Sequence, residues 1–473
     1  MMPARVAVDL GAESCRVSLL RWVDDSPHIT LVHRIPNGPV ADGDHLRWDL
    51  EAIWAGVQEG LRLGADIAVE GIASIAVDGW ATDYVRLNAD GFATADPFCY
   101  RDPRNIAAEQ AVHQRIDMHR LYALTGLQRL RFNTVYQLYA DQMAGIPAGM
   151  PWVNIPEYVL YLLGGRKVAE YTNATHTGLV STATGHWCAE VFEAVGLDLA
   201  AAPVLVQPGT DVGALRGPLA ALPAYQGTRL IAPACHDTAS AIAGIPGPTD
   251  DSGYISSGTW SLVGAVLDRP CNTPQAFEKD FTNQGGVAGE VCFHKNVNGM
   301  WLLRQSIDHW NAQGDVQWTV PGLIAQADGL GAPDRVFDVD QEDLMLPGDV
   351  PGHINQQRRA AGLAPLSEAS QDAPVFASLI LHSLAARYAE VFRDLMKVTG
   401  KQLRQLHIVG GGSRNRLLNR LTEQATELKV HCGYVESATI GNFALQLAAD
   451  DPTKAEIGKW AAALGAAVDR PST

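Results

Sequence analysis

The 473-residue chain reads as an α/β protein built from two domains. Three observations predict this. The length exceeds what one compact domain ordinarily reaches. Strand-like alternation and helix-like apolar stripes succeed one another in both halves. A strand–turn–strand pattern at the start occurs again in mid-chain, behind a Gly/Pro-rich stretch, as in a distant internal duplication.

The elements follow in order. Arg5–Asp9 and Arg16–Leu20 are strands around the turn Leu10–Cys15, with Val6, Val8, Val17 and Leu19 alternating against smaller or polar residues. Ile53, Trp54, Val57 and Leu61 recur at helical spacing, so a helix is expected over Asp49–Leu63 with Asp49 as its N-cap. Ile72–Val77 and Tyr84–Leu87 read as a second strand pair, closing on the turn Asn88–Gly91. The Gly/Pro-rich segment Ala243–Asp251 is the expected boundary, giving domains 1–243 and 244–473. Ser252–Gly264 repeats the opening hairpin. Phe376, Leu379, Ile380, Leu384 and Tyr388 start an apolar helical stripe over Phe376–Val398, with Gly400 as its stop. Leu406–Val409 is a short strand running into Gly410–Gly412, with a helix expected from Asn415.

Composition narrows the function. Hydrophobic residues make up 47% and charged residues 19%, which excludes a largely disordered chain. Lys and Arg number 36 against 52 Asp and Glu, a net charge of −16, the reverse of what phosphate backbones select, so nucleic acid is not expected as a partner. Small anions stay compatible, because a few backbone N–H groups and a metal hold a phosphate locally. Cysteines 15, 99, 188, 235, 271, 292 and 432 are odd in number and form no C-x-x-C pair, against both a disulfide framework and a structural zinc site. The apolar run at the start is too short for a signal-peptide core, and no stretch approaches the roughly 20 apolar residues of a membrane helix. A cytoplasmic protein without membrane contact is expected, as a monomer or small homo-oligomer.

Four segments are suited to chemistry. Asp9-Leu-Gly-Ala-Glu-Ser-Cys-Arg16 is either an anion nest with an acid at its base or an ordinary hairpin with a surface Asp. It is not a Walker loop, for no G-x-x-x-x-G-K-[ST] occurs. In Ile231-Ala-Pro-Ala-Cys-His-Asp-Thr238, Asp237 ends a strand and precedes a small-residue helix, as a helix cap or a general base. Gly410-Gly-Gly-Ser-Arg-Asn415 allows close approach of a ligand to the backbone, or is simply a glycine-rich turn; it is not the Rossmann fingerprint. Asp78-Gly-Trp-Ala-Thr-Asp83 with Tyr100-Arg-Asp102 offers acids, a ring and an Arg of the kind that lines sugar sites; equally, Trp80 is core and the Arg–Asp pair a surface salt bridge.

In this order, and together with Tyr171-Thr-Asn-Ala-Thr175, Phe132-Asn-Thr-Val-Tyr-Gln-Leu138, Ser256-Ser-Gly-Thr-Trp-Ser-Leu262 and Leu406-His-Ile-Val-Gly-Gly-Gly412, the segments resemble the FGGY carbohydrate kinases from about Val6 to Leu447. The Tyr-Thr-Asn-Ala-Thr and His-Asp-Thr-Ala-Ser forms are most similar to the rhamnulokinase group of that family.

The resemblance implies two actin-like (ribonuclease-H-like) ATPase domains with an interdomain cleft, and transfer of the ATP γ-phosphoryl group to the 1-hydroxyl of L-rhamnulose. It implies that Asp237 is the base and that Asp9 stands near Mg²⁺. Ala12, Glu13, Ser14, Cys15 and Arg16 would form the first phosphate hairpin, Thr259 would belong to the second, and Gly411 and Gly412 would flank the nucleotide. His236, Asp237, Thr238 and Asn296 would contact sugar, alongside Ala81 and Asp83 of the acidic segment. Three positions depart from the family's pattern: Cys15 and Ala81 stand where Gly is usual, and Arg304 where a Gln contacts nucleotide. Cys15 is expected to put an oxidisable thiol into the turn. Ala81 keeps open another ketose, such as L-fuculose or L-xylulose. A non-catalytic, nucleotide-responsive relative is the reading from another class, and an intact Asp237 argues against it.

Overall fold

In a computed structural model, the described residues are 2–314, 316–345, 348–451 and 453–468. The chain forms two compact units, and neither is continuous in sequence. The first holds residues up to Gly247, Val266–Phe293 and the stretch from Ser437 onward; the second holds Pro248–Ala265 and His294–Glu436. The Gly/Pro-rich segment is thus one of four crossings between units.

The first unit is built on a six-stranded sheet of β1 (Ala4–Leu10), β2 (Ser14–Val23), β3 (Ser26–Pro36), β4 (Ile72–Gly79), β5 (Thr210–Ala214) and β6 (Arg229–Ala232), in the order β5-β6-β4-β1-β2-β3. β1 and β2 are the expected antiparallel hairpin, with Asp9 opposite Arg16. β4 lies parallel to β1, with Asp9 opposite Asp78, and β6 lies parallel to β4. Val6, Val8, Val17 and Leu19 are buried, and helix Leu50–Ile67 packs Ile53, Val57 and Leu61 into the same core. Asp49 caps that helix through Ala52 N. One expected pairing is corrected: Ile72–Gly79 and Tyr84–Arg86 are both strands but do not pair with each other. The first is central in the main sheet, and the second pairs with Trp152–Asn154. A short sequence separation suggested a hairpin, but the buried run of Ile72–Gly79 suits a central parallel strand.

The second unit repeats the local pattern. β7 (Ser252–Ser257) and β8 (Trp260–Leu267) form an antiparallel hairpin, with Tyr254 opposite Gly264. With β9 (Val291–Asn298), β10 (Gln405–Val409) and β11 (Lys429–Cys432) they are five strands of a six-stranded sheet, in the order β9-β8-β7-β10-β11, and Thr282–Gly285 is the sixth, beside β9. β10 is parallel to β7, as β4 is to β1. Helix Ala373–Thr399 ends on Gly400 in the left-handed region. It is apolar and long enough, by composition, to cross a membrane, which corrects the expectation that no stretch approaches that length; 72% of its most apolar window is buried within the protein.

Candidate active site

Parallel strands end together, and open α/β sheets present ligands at those carboxyl ends. In the first unit β1 ends at Asp9–Leu10, β4 at Asp78–Gly79, and the chain beyond β6 continues beside them, since Gly79 N donates to Cys235 O (2.9 Å) and Gly79 bridges to His236. Asp9, Asp78 and Asp237 therefore converge. Burial, then the charge of Asp9, pushes Asp237 up to about 7. The same two causes hold Asp78 well above the usual carboxyl range. Arg16 donates to Asp9 Oδ2 (3.1 Å). Asn442 Nδ2, on helix Ser437–Leu447, donates to Asp78 Oδ2 (2.6 Å), while Asp78 Oδ1 is buried without a hydrogen-bond partner.

Asp237 is the first residue of helix Asp237–Ala243, and His236 holds the N-cap position. The cap reading of Asp237 is thereby replaced: its carboxylate sits in the first turn, where the helix dipole favours negative charge. About a third (34%) of its side chain is exposed, against 7% for His236. Burial pushes His236 down to about 3, so the ring is neutral at physiological pH. Its Nε2 lies 3.3 Å from Asp237 Oδ1. Its Nδ1 lies 3.0 Å from His176 Nε2, and Gln284 Nε2 lies 2.6 Å from His176 Nδ1. Thr238 Oγ1 is 3.4 Å from Asp237 Oδ1.

The segment Tyr171–Thr175 acts as a support for this turn. Glu170 Oε2 accepts from Cys235 N (2.8 Å) and from Thr172 Oγ1 (2.5 Å), and Thr172 Oγ1 in turn is 3.3 Å from His236 N. Glu157 holds Asn173 Nδ2 (2.8 Å) and Glu170 N (3.0 Å). Burial raises Glu157 to about 7 and Glu170 to about 8.

Asp83 is fully buried. Its carboxylate accepts from Trp48 Nε1 (2.6 Å), Trp80 Nε1 (3.1 Å), Gln137 Nε2 (2.9 Å) and Tyr100 N (3.1 Å), and burial still raises it to about 6. Trp80 packs on Trp48 with ring centroids 4.4 Å apart, and both are buried. Ala81 is half-buried, and Thr82 beside it has φ +76°, a conformation rare for a β-branched residue and of the kind functional sites retain. Asp102 accepts from Leu46 N (2.7 Å) and Arg104 N (2.9 Å) and lies 3.2 Å from His45 Nδ1, so it braces the turn.

The hairpin expected to hold phosphate departs from expectation at Cys15. The residue is in β2, not in the turn, and its side chain is buried in the core. Burial, then Asp9, pushes the thiol up to about 12, so it is a poor nucleophile rather than an oxidisable group. The turn is Gly11–Glu13, with Ala12 half-buried, Glu13 exposed and Ser14 opening β2. Asn37 fastens it, through Nδ2 to Gly11 O (2.9 Å) and N to Glu13 O (3.1 Å).

In the second unit the β7–β8 turn is Gly258–Thr259, pinned by Met300 N to Gly258 O (3.1 Å) and Trp301 N to Thr259 O (3.3 Å). Gly410 has φ +81°, and a Cβ there would stand 2.9 Å from Ser257 O. A Cβ on Gly412 would overlap the Ser257 hydroxyl, whereas one on Gly411 would meet open space. The Gly-rich loop thus presses onto the end of β7 and turns its middle peptide outward. Asn415 caps helix Arg416–Thr426 through Leu418 N (3.1 Å). Arg304 is exposed on helix Trp301–Ala312, and Asn296 is half-buried on β9.

The family model for the N-terminal domain of the FGGY family of carbohydrate kinases matches residues 4–244, and that for the C-terminal domain matches 253–449. The chain belongs to the FGGY family of carbohydrate kinases. As an FGGY kinase it is a phosphotransferase with an alcohol group as acceptor. A rhamnulokinase of Bacteroides thetaiotaomicron is 34% identical over 443 residues, 93% of this chain and 89% of that protein. One of Pectobacterium carotovorum is 37% identical over 458 residues, 94% of this chain and 88% of that protein. Among solved structures, a xylulose kinase of Lactobacillus acidophilus superposes with a TM-score of 0.77 at 16% identity, covering 97% of this chain and 92% of that one. A Plasmodium falciparum glycerol kinase with ADP gives 0.72 at 12% identity, covering 98% and 92%. The fold is therefore the two-domain α/β fold of FGGY kinases, with actin-like ATPase architecture.

His176, Gln284, Glu170, Glu157 and Asn442 escaped the sequence reading. His176 and Glu170 flank the quoted Tyr171–Thr175 segment, so a polar residue predicted buried beside it was the one available signal. Gln284 and Asn442 reach the site only through the return of distant segments to the first unit.

Proposed function

We propose that this FGGY kinase transfers the γ-phosphoryl group of ATP to the 1-hydroxyl of L-rhamnulose, giving L-rhamnulose 1-phosphate and ADP in L-rhamnose catabolism. The observation that carries the reading is Asp237, a partly exposed carboxylate pushed up to about 7 by burial and Asp9, beyond the carboxyl ends of the parallel strands β1, β4 and β6. A base poised near the working pH accepts a hydroxyl proton as the oxygen attacks phosphorus. The rhamnulokinase relatives supply the substrate class.

Mg²⁺ fits the acids beside Asp237. Hard carboxylate oxygens are its preferred ligands, and the buried, unpartnered Oδ1 of Asp78 is an oxygen without a use in the fold. Asp9, with Asp78 behind it, would hold the ion, which would neutralise phosphate charge. The chain's own groups supply the rest. In the first unit the Gly11–Glu13 turn would present backbone donors to phosphate, with Ser14, Cys15 and Arg16 following in the paired strand β2. In the second unit the Gly258–Thr259 turn is of the same kind, and Gly411 leaves room for a nucleotide against the backbone. Asp83 fastens the buried Trp48, Trp80 and Gln137 behind the turn that carries Ala81, the residue that would face the sugar.

A second reading concerns the ketose. Ala81 adds a methyl where relatives of the pattern carry Gly, next to the strained Thr82, and this keeps L-fuculose and L-xylulose in view. A methyl in such a contact is worth about 1–3 kcal/mol in discrimination. The test is product analysis: phosphorus–proton correlation NMR after incubation with L-rhamnulose and Mg-ATP should place the phosphate on C1. Phosphate on another carbon, or free phosphate alone, would overturn the assignment.

A further inference from the structure

We infer that His176 is a positioning residue for the reaction centre: by donating to His236 Nδ1 it holds the His236 ring in the tautomer whose Nε2–H meets Asp237. The inference rests on the reading of Asp237 as the base. Gln284 Nε2, His176, His236 and Asp237 Oδ1 form one line of contacts of 2.6, 3.0 and 3.3 Å. Both rings are buried, and their centroids lie 4.0 Å apart at 61°.

A neutral imidazole has one donor and one acceptor nitrogen. An ionised carboxylate only accepts. Above its pKa of about 7, in the ionised state that takes the proton, Asp237 therefore fixes the direction of the whole line from its end, since its charge 3.3 Å from His236 Nε2 favours the proton on that nitrogen. His236 must carry its proton on Nε2, so its Nδ1 must accept. His176 must then donate through Nε2 and accept at Nδ1, and Gln284 must present its N–H₂ group. With the line reversed, a bare His236 nitrogen would face the carboxylate, and lone pair would oppose lone pair. Without the His176 donor, His236 Nδ1 would be a buried acceptor with no partner, and the ring would gain by moving its proton to that side. Gly285 N on Thr175 Oγ1 (2.9 Å) and His236 N on Thr172 Oγ1 (3.3 Å) hold the backbone of all three partners in register.

The experiment reads the tautomer directly. Long-range proton–nitrogen correlation spectra of ¹⁵N-histidine-labelled protein, recorded at least one pH unit above the Asp237 pKa, should show His236 with a protonated Nε2 and an unprotonated Nδ1, with the peak assigned by loss in His236→Asn. His176→Leu should shift His236 toward the other tautomer and lower kcat with L-rhamnulose by about 10- to 100-fold, the usual scale for losing an orienting group behind a reacting one. KM for ATP should not change. His176→Gln, which offers both an acceptor and a donor, should restore tautomer and kcat together. Wild-type His236 protonated on Nδ1 would overturn the proposal, as would a folded His176→Leu protein with wild-type kcat. Should His176→Leu fail to fold, the wild-type and His176→Gln spectra still decide. Full activity in Asp237→Asn would instead defeat the base assignment, and the wild-type spectrum is independent of that result.

Discussion

Asn442 Nδ2 donates to the buried Asp78 carboxylate, joining residues 364 positions apart within one unit. On the same helix Gln446 Nε2 bonds Val6 O (3.0 Å), and its Oε1 accepts from Ser74 Oγ (2.6 Å). Helix Ser437–Leu447 is thus stitched to the two central strands that carry Asp9 and Asp78.

Asn442→Ala removes the partner of Asp78 Oδ2 and leaves the carboxyl with two unsatisfied buried oxygens. Loss of such a hydrogen bond costs about 1–3 kcal/mol. Urea denaturation followed by tryptophan fluorescence should show that loss. An unchanged midpoint would mean that the contact contributes nothing.

Local patterns explain which parts were legible in the sequence. The two hairpins, the Asp49 cap, the long apolar helix and the Gly410–Gly412 turn follow from periods and turn residues within about one element. The partner of Ile72–Gly79 depended on a sheet closed by β6, more than 140 residues on, and no local signal carries that. The inward direction of Cys15 was similarly hidden, because its position beside a turn suggested exposure while the strand register turns it into the core. Asp83 stood out in the sequence as an acid among aromatic residues, but its four N–H donors come from Trp48, Trp80, Tyr100 and Gln137, spread along the chain.

Asp237→Asn keeps shape but cannot take a proton, so kcat should fall by about 10²–10⁴-fold. In the wild type, kcat/KM should fall about tenfold per unit as pH drops below about 7, because burial and Asp9 raise the pKa and only the ionised carboxylate accepts. Added Mg²⁺ should move this limb to lower pH by offsetting the charge of Asp9. A flat profile between pH 5.5 and 7.5 would exclude Asp237 as the titrating base.

Gly412→Ala and Gly411→Ala separate backbone packing from ligand contact. The first sets a methyl against Ser257 and should destabilise the loop and lower the melting temperature. The second has open space, so stability should hold while ADP affinity, measured by calorimetry, falls. Equal ADP affinity in Gly411→Ala would place the nucleotide elsewhere.

Asp83→Asn replaces an acceptor of four N–H groups with a side chain that sets its own donors against at least one of them. The cost should be about 1–3 kcal/mol, with weaker sugar binding as Trp80 loosens. Thermal unfolding and the KM for ketose should move together, and the KM for ATP should stay.

The measurement closest to the central claim is ADP release by the purified protein with Mg-ATP, over a panel of L-rhamnulose, L-fuculose, L-xylulose and no sugar. Release should depend on ketose, with the highest kcat/KM for L-rhamnulose. Release that is the same without sugar, or none with any ketose while ATP binds, would contradict it.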